Sequence, residues 1–172
     1  MSLAPSRWFW GPSSRLGFAL ALLALIADQT HKWWMIHVYR IQEKGTVSVT
    51  PFFDLVMVWN TGISYGLFAQ EGPAGQAVLI GFACVAVIVL AIWLARTPSA
   101  LVAAAIGLIM GGAIGNAIDR YVYGAVADFF AFHAFGYEWY VFNIADAVIV
   151  AGVIGLLYDT LFLSHKKVSK AS

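Results

Sequence analysis

The sequence predicts an all-α membrane protein: four transmembrane helices, a small β-sheet on the outer surface and an interfacial aromatic loop. Two observations carry this expectation. Hydrophobic residues make up 61% of the chain and charged residues only 11%, with a mean hydropathy of +0.79, whereas a water-soluble domain carries about 25% charged residues. Apolar runs long enough to cross a bilayer, ~20 residues each, occur at four places. Residues 1–172 therefore read as a single integral membrane domain.

The first predicted span covers about 16–36, and its second half is interrupted by Asp28, Gln29, His31 and Lys32. No small-residue cleavage site follows its apolar run, so it reads as a retained helix rather than a signal peptide. The second span, about 77–95, carries no charge. The third, about 100–118, is rich in Gly and Ala. Only Arg96-Thr97-Pro98-Ser99 separates these two, as in a tight turn between antiparallel helices. The fourth covers about 143–163.

The outer connections span about 37–75 and 121–141. In the first, Val47 and Val49 alternate with Ser48 and Thr50, and Leu55-Val56-Met57-Val58-Trp59 favours a strand. The second is crowded with Phe129, Phe130, Phe132, Phe135, Tyr137, Trp139, Tyr140 and Phe142. Trp and Tyr favour the headgroup level, so this segment is expected to lie in the interface as a loop.

Lys and Arg set the orientation. Arg7 and Arg15 precede the first span, Arg96 lies in the short turn, and Lys166, Lys167 and Lys170 follow the fourth. The long connections hold only Arg40 and Lys44. Both termini and the 96–99 turn are thus expected in the cytoplasm, with the long connections on the opposite face, the periplasm in a Gram-negative bacterium. A net charge of +1 gives no electrostatic case for nucleic acid.

Charged side chains inside spans are functional candidates by default, because each costs about 2.5–3.5 kcal/mol at the bilayer centre. Asp28, Lys32, Asn116, Asp119, Arg120, Asp128, Asn143 and Asp146 all map to the outer third of the bundle, delivered by separate segments. Each has a structural reading too. Asp28 with Lys32, one turn apart, and Asp119 with Arg120 read as ion pairs. Asn143 with Asp146 reads as a helix cap. Asp128 alone is an even choice between a solvated loop acid and a functional one.

The pairing of Asp128 with Asp146 favours function. Both sit at outer ends of adjacent spans. Two carboxylates in contact cannot both ionise cheaply, so one keeps its proton. Such a pair can activate a water against a peptide carbonyl and protonate the leaving amine. Other hydrolytic chemistries fit poorly: HExxH and GxSxG are absent, the histidines lack zinc-ligand spacing, and the only cysteine, Cys84, lies in the uncharged second span. A proton-coupled transporter and a non-catalytic scaffold are the competing readings. A transporter site sits near the midplane with access from both sides, unlike this one-sided cluster.

These residues fall in motifs. Asp28-Gln29-Thr30-His31-Lys32 resembles the DQxxK motif of lipoprotein signal peptidases (signal peptidase II). Asn60-Thr61-Gly62-Ile63-Ser64-Tyr65-Gly66 resembles NxGxxFG, and Gly111–Arg120 resembles GGAxGNxxDR. Gly124–Phe129 resembles GxVxDF, and Phe142–Asp146 resembles FNxAD. The motifs occur in family order over about 16–163. The resemblance implies a membrane-embedded aspartic endopeptidase of the bacterial inner membrane. It would cut the signal peptide from diacylglyceryl-modified prolipoproteins on the N-terminal side of the lipidated cysteine.

It also implies that Asp128 and Asp146 are catalytic, supported by Asp28, Lys32, Asn60, Gly62, Asn116, Asp119, Arg120 and Asn143. No metal or organic cofactor is expected, and globomycin is a family inhibitor. The expected partners are the lipidated prolipoprotein signal peptide and membrane phospholipid, with the enzyme a monomer. Tyr65 stands where Phe is common, and His31 where a small or hydroxyl residue is usual; His31 reads as interfacial packing.

Overall fold

The computed structural model describes residues 10–62 and 72–164. Helix α1, Ser14–Trp33, runs without a break into a π-helical stretch, Trp34–Val38. A short helix, α2 (Ile41–Lys44), and strands β1 (Val47–Thr50) and β2 (Phe53–Asn60) follow. Helices α3 (Pro73–Leu94) and α4 (Ala100–Tyr123) come next. Strands β3 (Val126–Ala134) and β4 (Tyr137–Glu138) then lead into α5 (Ile144–Tyr158), which ends in a π-helical stretch, Asp159–Ser164.

Local chemistry sets the helix ends. Pro73 opens α3, where its missing N–H costs nothing. The Ser99 hydroxyl accepts from Val102 N at 3.3 Å to start α4. Gly124 stops it in the left-handed region at φ 73°, where a side chain would be strained. Among the described residues, three helical stretches are long and apolar enough to cross a membrane: Pro73–Leu94, Ala100–Tyr123 and Ile144–Leu163. Helix α1 is of similar length but carries Arg15, Asp28 and Lys32.

Helix α4 is the hub, packing on α1, α3 and α5. Small residues let the backbones approach, as is common between membrane helices. A Cβ on Gly112 would come within 2.5 Å of the Ala145 carbonyl of α5, and one on Gly115 within 2.6 Å of the Asp28 carboxylate of α1. Leu94, Ala103, Ile106 and Met110 fill the core on the side of this contact nearer the α3–α4 turn. The outward face of α3, with Val78, Phe82, Val85 and Ile88, is left exposed for lipid.

The strands form one antiparallel sheet in the order β1-β2-β3-β4. Strands β1 and β2 fall where the alternation of Val47 and Val49 and the run 55–59 predict them. The aromatic segment differs from expectation in its backbone: it is not a loop but strand β3 with its hairpin partner. β-favouring side chains at Val126, Phe129, Phe130 and Phe132 meet a ready edge in β2, and the ladder satisfies their backbone groups. Phe130 also bridges to Phe142, whose N–H donates to the Phe130 carbonyl at 3.1 Å. Phe129 is fully buried beneath the sheet with Met35 and Ile41.

The predicted bounds also move. The third span continues to Tyr123, so Asp119 and Arg120 lie within helix α4 rather than at its edge. The second starts at Pro73, four residues earlier than the hydropathy suggests.

Candidate active site

The sheet and helix ends converge on one polar network beneath the sheet. Register places Val58 opposite Asp128 and Asn60 opposite Val126, which brings the Asn60 side chain beside Asp128. Asn60 Nδ2 donates to Asp128 Oδ2 at 3.1 Å. Asn143 Nδ2 donates to the other oxygen, Oδ1, at 2.6 Å. Asp128 is 1% exposed.

Asp146 reaches the same point from α5. Its Oδ1 accepts from Asn116 Nδ2 at 2.8 Å, and its Oδ2 from the Asn143 backbone N–H at 3.4 Å. The Asp146 N–H in turn donates to Asn143 Oδ1 at 2.9 Å. This is a reciprocal capping box, so the structural reading of Asn143 and Asp146 holds. The same Asn143 also holds Asp128. One side chain thus starts the helix and joins the two carboxylates.

Asp128 and Asp146 differ in access. Asp146 lines a cavity of about 370 Å³ together with Asn60, Gly62, Asn116, Arg120 and Tyr140, closed laterally by Leu79 and Phe82 of α3 and Ile149 and Val150 of α5. Asp128 lies sealed behind it. Burial, and then the negative charge of Asp146, push the Asp128 pKa up to about 7, against the hydrogen bonds from Asn60 and Asn143 and the charge of Lys32.

Behind the pair lies a buried ionic layer. Lys32 Nζ sits 2.9 Å from Asp28 Oδ2, 2.8 Å from Asp119 Oδ2 and 3.1 Å from Asn116 Oδ1. These contacts use all three ammonium hydrogens. The Asp28–Lys32 ion pair is present as expected. The Asp119–Arg120 pair is not: neighbours in a helix point apart, and Asp119 turns to Lys32. Arg120 Nη2 instead donates to the Gly62 carbonyl at 2.8 Å and Nη1 to the Asn116 carbonyl at 3.3 Å. It fastens the end of β2 to α4, and Asn60 Oδ1 accepts from Gly62 N at 3.0 Å to shape that turn.

Every site residue singled out from the sequence is therefore in one connected network: Asp28, Lys32, Asn60, Gly62, Asn116, Asp119, Arg120, Asp128, Asn143 and Asp146. Two contributors were not singled out. Tyr140 lines the cavity, signalled only by its place in an aromatic-rich stretch. Gln29 Nε2 donates to Asp119 Oδ1 at 2.9 Å, and its position between Asp28 and Lys32 was the available clue.

The His31 ring packs against Phe129 and Phe130, at centroid distances of 5.5 and 5.1 Å. Ile63, Ser64, Tyr65 and Gly66 lie outside the described residues. Among the described residues, no group of three or more His, Cys, Asp or Glu side chains is arranged to hold a metal ion.

Comparison with known proteins agrees with the geometry. The model of the signal peptidase (SPase) II family matches residues 20–162. The lipoprotein signal peptidase of Rhodopseudomonas palustris (strain TIE-1) is 55% identical over 151 residues, covering 86% of this chain and 92% of the relative. That of Nitrobacter hamburgensis is 55% identical over 150 residues, covering 85% and 92%. A bacterial membrane enzyme solved in meso at 1.9 Å superposes with a TM-score of 0.75 at 25% identity, over 90% of this chain and 97% of that one. Another, at 2.3 Å, gives 0.72 at 28% identity, over 84% and 89%. With the family pattern running through nearly the whole membrane domain, the chain belongs to the signal peptidase II family.

Proposed function

We propose that this chain is an aspartic endopeptidase that removes the signal peptide from diacylglyceryl-modified prolipoproteins, cleaving on the N-terminal side of the lipidated cysteine. Asp128 and Asp146 are the catalytic pair. The observation that carries the reading is the Asn143 side chain, which holds one carboxylate by its amide and caps the helix that presents the other at the cavity.

The difference in access between the two supports one set of starting roles. Sealed Asp128, with its pKa near 7, enters with a proton. Asp146, open to the cavity, enters ionised and takes a proton from a water as the oxygen attacks the scissile carbonyl. Asp128 gives its proton to the developing oxyanion. As the tetrahedral intermediate collapses, Asp146 gives its proton to the leaving amine, the C–N bond breaks, and a hydroxyl of the gem-diol returns a proton to Asp128, which restores the starting state. Asn60, Asn116 and Asn143 orient the two carboxyl groups. Lys32, Asp28, Asp119 and Arg120 fix the frame, and the Gly62 carbonyl ties the chain after β2 to Arg120.

In the same reading, α1 is the fourth transmembrane helix, and its buried charges face the bundle rather than lipid. Both termini lie in the cytoplasm of a bacterial inner membrane, with the cavity toward the periplasmic face. The diacylglyceryl chains hold the scissile bond at the interface, where surrounding phospholipid meets the apolar flanks of α3 and α5. The enzyme works as a monomer without a cofactor.

The test is a gel-shift assay on a lipidated prolipoprotein. Parent enzyme cleaves it, and globomycin blocks cleavage. Asp128→Asn and Asp146→Asn, folded and inserted, each leave it uncut. Cleavage by either variant at the parent rate removes the proposal. A scaffold would instead lose stability, and a transporter would show pH-coupled flux with no proteolysis.

A further inference from the structure

The two carboxylates behind the pair perform the same operation at two places. Asp28 Oδ1 accepts the Ala145 N–H at 2.9 Å, and Ala145 immediately precedes Asp146. Asp119 Oδ2 accepts the Ala127 N–H at 3.2 Å, and Ala127 immediately precedes Asp128. Each supporting carboxylate thus holds the peptide that carries one member of the pair. The relative position of Asp28 and Asp119 is passed, through one peptide unit on each side, to Asp146 and Asp128.

Two side chains tie Asp28 to Asp119. One is Lys32, with its ammonium between them. The other is Gln29, whose Nε2 lies 3.2 Å from Asp28 Oδ2, 2.9 Å from Asp119 Oδ1 and 3.2 Å from the Gly115 carbonyl. All three neighbours are acceptors without hydrogens, so the amide nitrogen and not its oxygen faces them.

The two links differ in kind. An ammonium is a point charge on a flexible stem, and it binds Oδ2 of both carboxylates. Asp28 is also held at Oδ1 by the Ala145 N–H. Asp119 takes both Lys32 and the Ala127 N–H at Oδ2 and is left free to rotate about that oxygen. Gln29 grips Asp119 by the opposite oxygen and so removes that rotation. Its third contact, to Gly115, anchors it to the α4 backbone at a spot with no room for a Cβ.

We propose that Gln29 is a positioning residue that, by locking Asp28 and Asp119 against each other, sets the spacing of Asp128 and Asp146. The inference rests on the reading of that pair as catalytic. Gln29 does not line the cavity, so its loss acts through geometry and not through substrate contact. Misplacing reacting groups by about 1 Å costs on the order of 10²-fold in rate.

The test is Gln29→Met, which keeps the length and removes the donors. It is assayed with the full chain in detergent micelles on a lipidated prolipoprotein, and rates are taken per folded enzyme. The expected result is a fall in kcat of about 10- to 100-fold, with KM within about twofold of the parent. The alkaline limb of the pH–rate profile moves to lower pH, because a wider pair repels less and gives up its proton sooner. A purely structural role would lower the folded fraction and leave kcat per folded enzyme and the profile where they were.

If Gln29→Met does not accumulate, Gln29→Asn, which withdraws the amide by one methylene, is read by the same criteria. Unchanged kcat and profile, with Asp128→Asn and Asp146→Asn inactive, overturns the lock and leaves the catalytic pair standing. Activity in both Asn variants overturns the pair, and the lock with it.

Discussion

Asp128→Asn removes one ionisable group from the sealed side of the pair, and its effect on stability follows from the structure. Asp128 ordinarily titrates near 3.8 and is pushed up to about 7 in the folded protein. Between those values the folded chain holds a proton that the unfolded chain has released. Stability in the parent therefore falls as pH rises through that window and levels off above about pH 7. Because the side chain is 1% exposed, solvent screening does not reduce the effect, which amounts to about 4 kcal/mol.

Asparagine does not titrate, so the variant lacks this loss. It has a fixed cost instead. Both oxygens of Asp128 accept, from Asn60 and Asn143, and an amide offers one acceptor only. One donor is left unsatisfied, at about 1–3 kcal/mol. The variant should thus be less stable than the parent at about pH 4 and more stable by about 1–3 kcal/mol at about pH 8. The difference in Tm should swing by about 10 °C between the two. Thermal unfolding of both proteins in detergent micelles, followed by tryptophan fluorescence across this range, is the assay. Curves for parent and variant that run parallel with pH would refute a proton held by Asp128.

In the proposed mechanism the same proton governs turnover. kcat/KM measured on a lipidated prolipoprotein should fall about tenfold per pH unit above about pH 7, as Asp128 ionises; a flat profile to pH 9 would contradict this. Lys32→Met strips the ammonium from between two buried carboxylates and should cost about 3–5 kcal/mol, read as loss of folded protein by size-exclusion chromatography or a lowered Tm. Gly115→Ala drives a methyl against Asp28 Oδ2, 2.6 Å away. It should release the Ala145 N–H from its charged acceptor at about 1.5–3 kcal/mol, with hydrogen exchange at Ala145 rising. Asn143→Ala removes the α5 cap at about 1 kcal/mol and should lower kcat far more than that cost in stability implies.

Residue identities were legible in the sequence; their partners were only partly so. Asp28, Lys32, Asn116, Asp119, Asn143 and Asp146 sit in apolar stretches where a polar group is expensive, and that expense marks them. Asp28 and Lys32 pair across one helical turn, a relation readable from spacing. Asp119 also pairs with Lys32, and that choice depends on how α1 seats on α4, which no local pattern encodes. From the sequence Arg120 reads as the partner of Asp119 for the same reason, since its acceptor is a carbonyl just beyond β2.

Strand β3 looked like an interfacial loop because Phe, Tyr and Trp serve equally well at the headgroup level and in a buried strand. Its partner β2 lies far away in sequence, and only that edge decides. Gln29 was passed over because a neutral amide near a helix end costs little and so draws no notice.

The crowded surroundings of α4 bear on how freely the chain can vary. Helix α4 presses on α1 at Gly107 and Gly111 and on α5 at Gly112, at backbone distance, so no bulkier residue fits at those positions. Helix α3 rests on α4 along one side and turns the other to acyl tails, so most of its positions ask only for greasiness. In a saturation library selected for prolipoprotein cleavage, survivors should be diverse along 78–89 and nearly invariant at Gly107, Gly111, Gly112 and Gly115. The burden of specifying this enzyme is concentrated in one membrane segment, and its neighbours inherit their places from it.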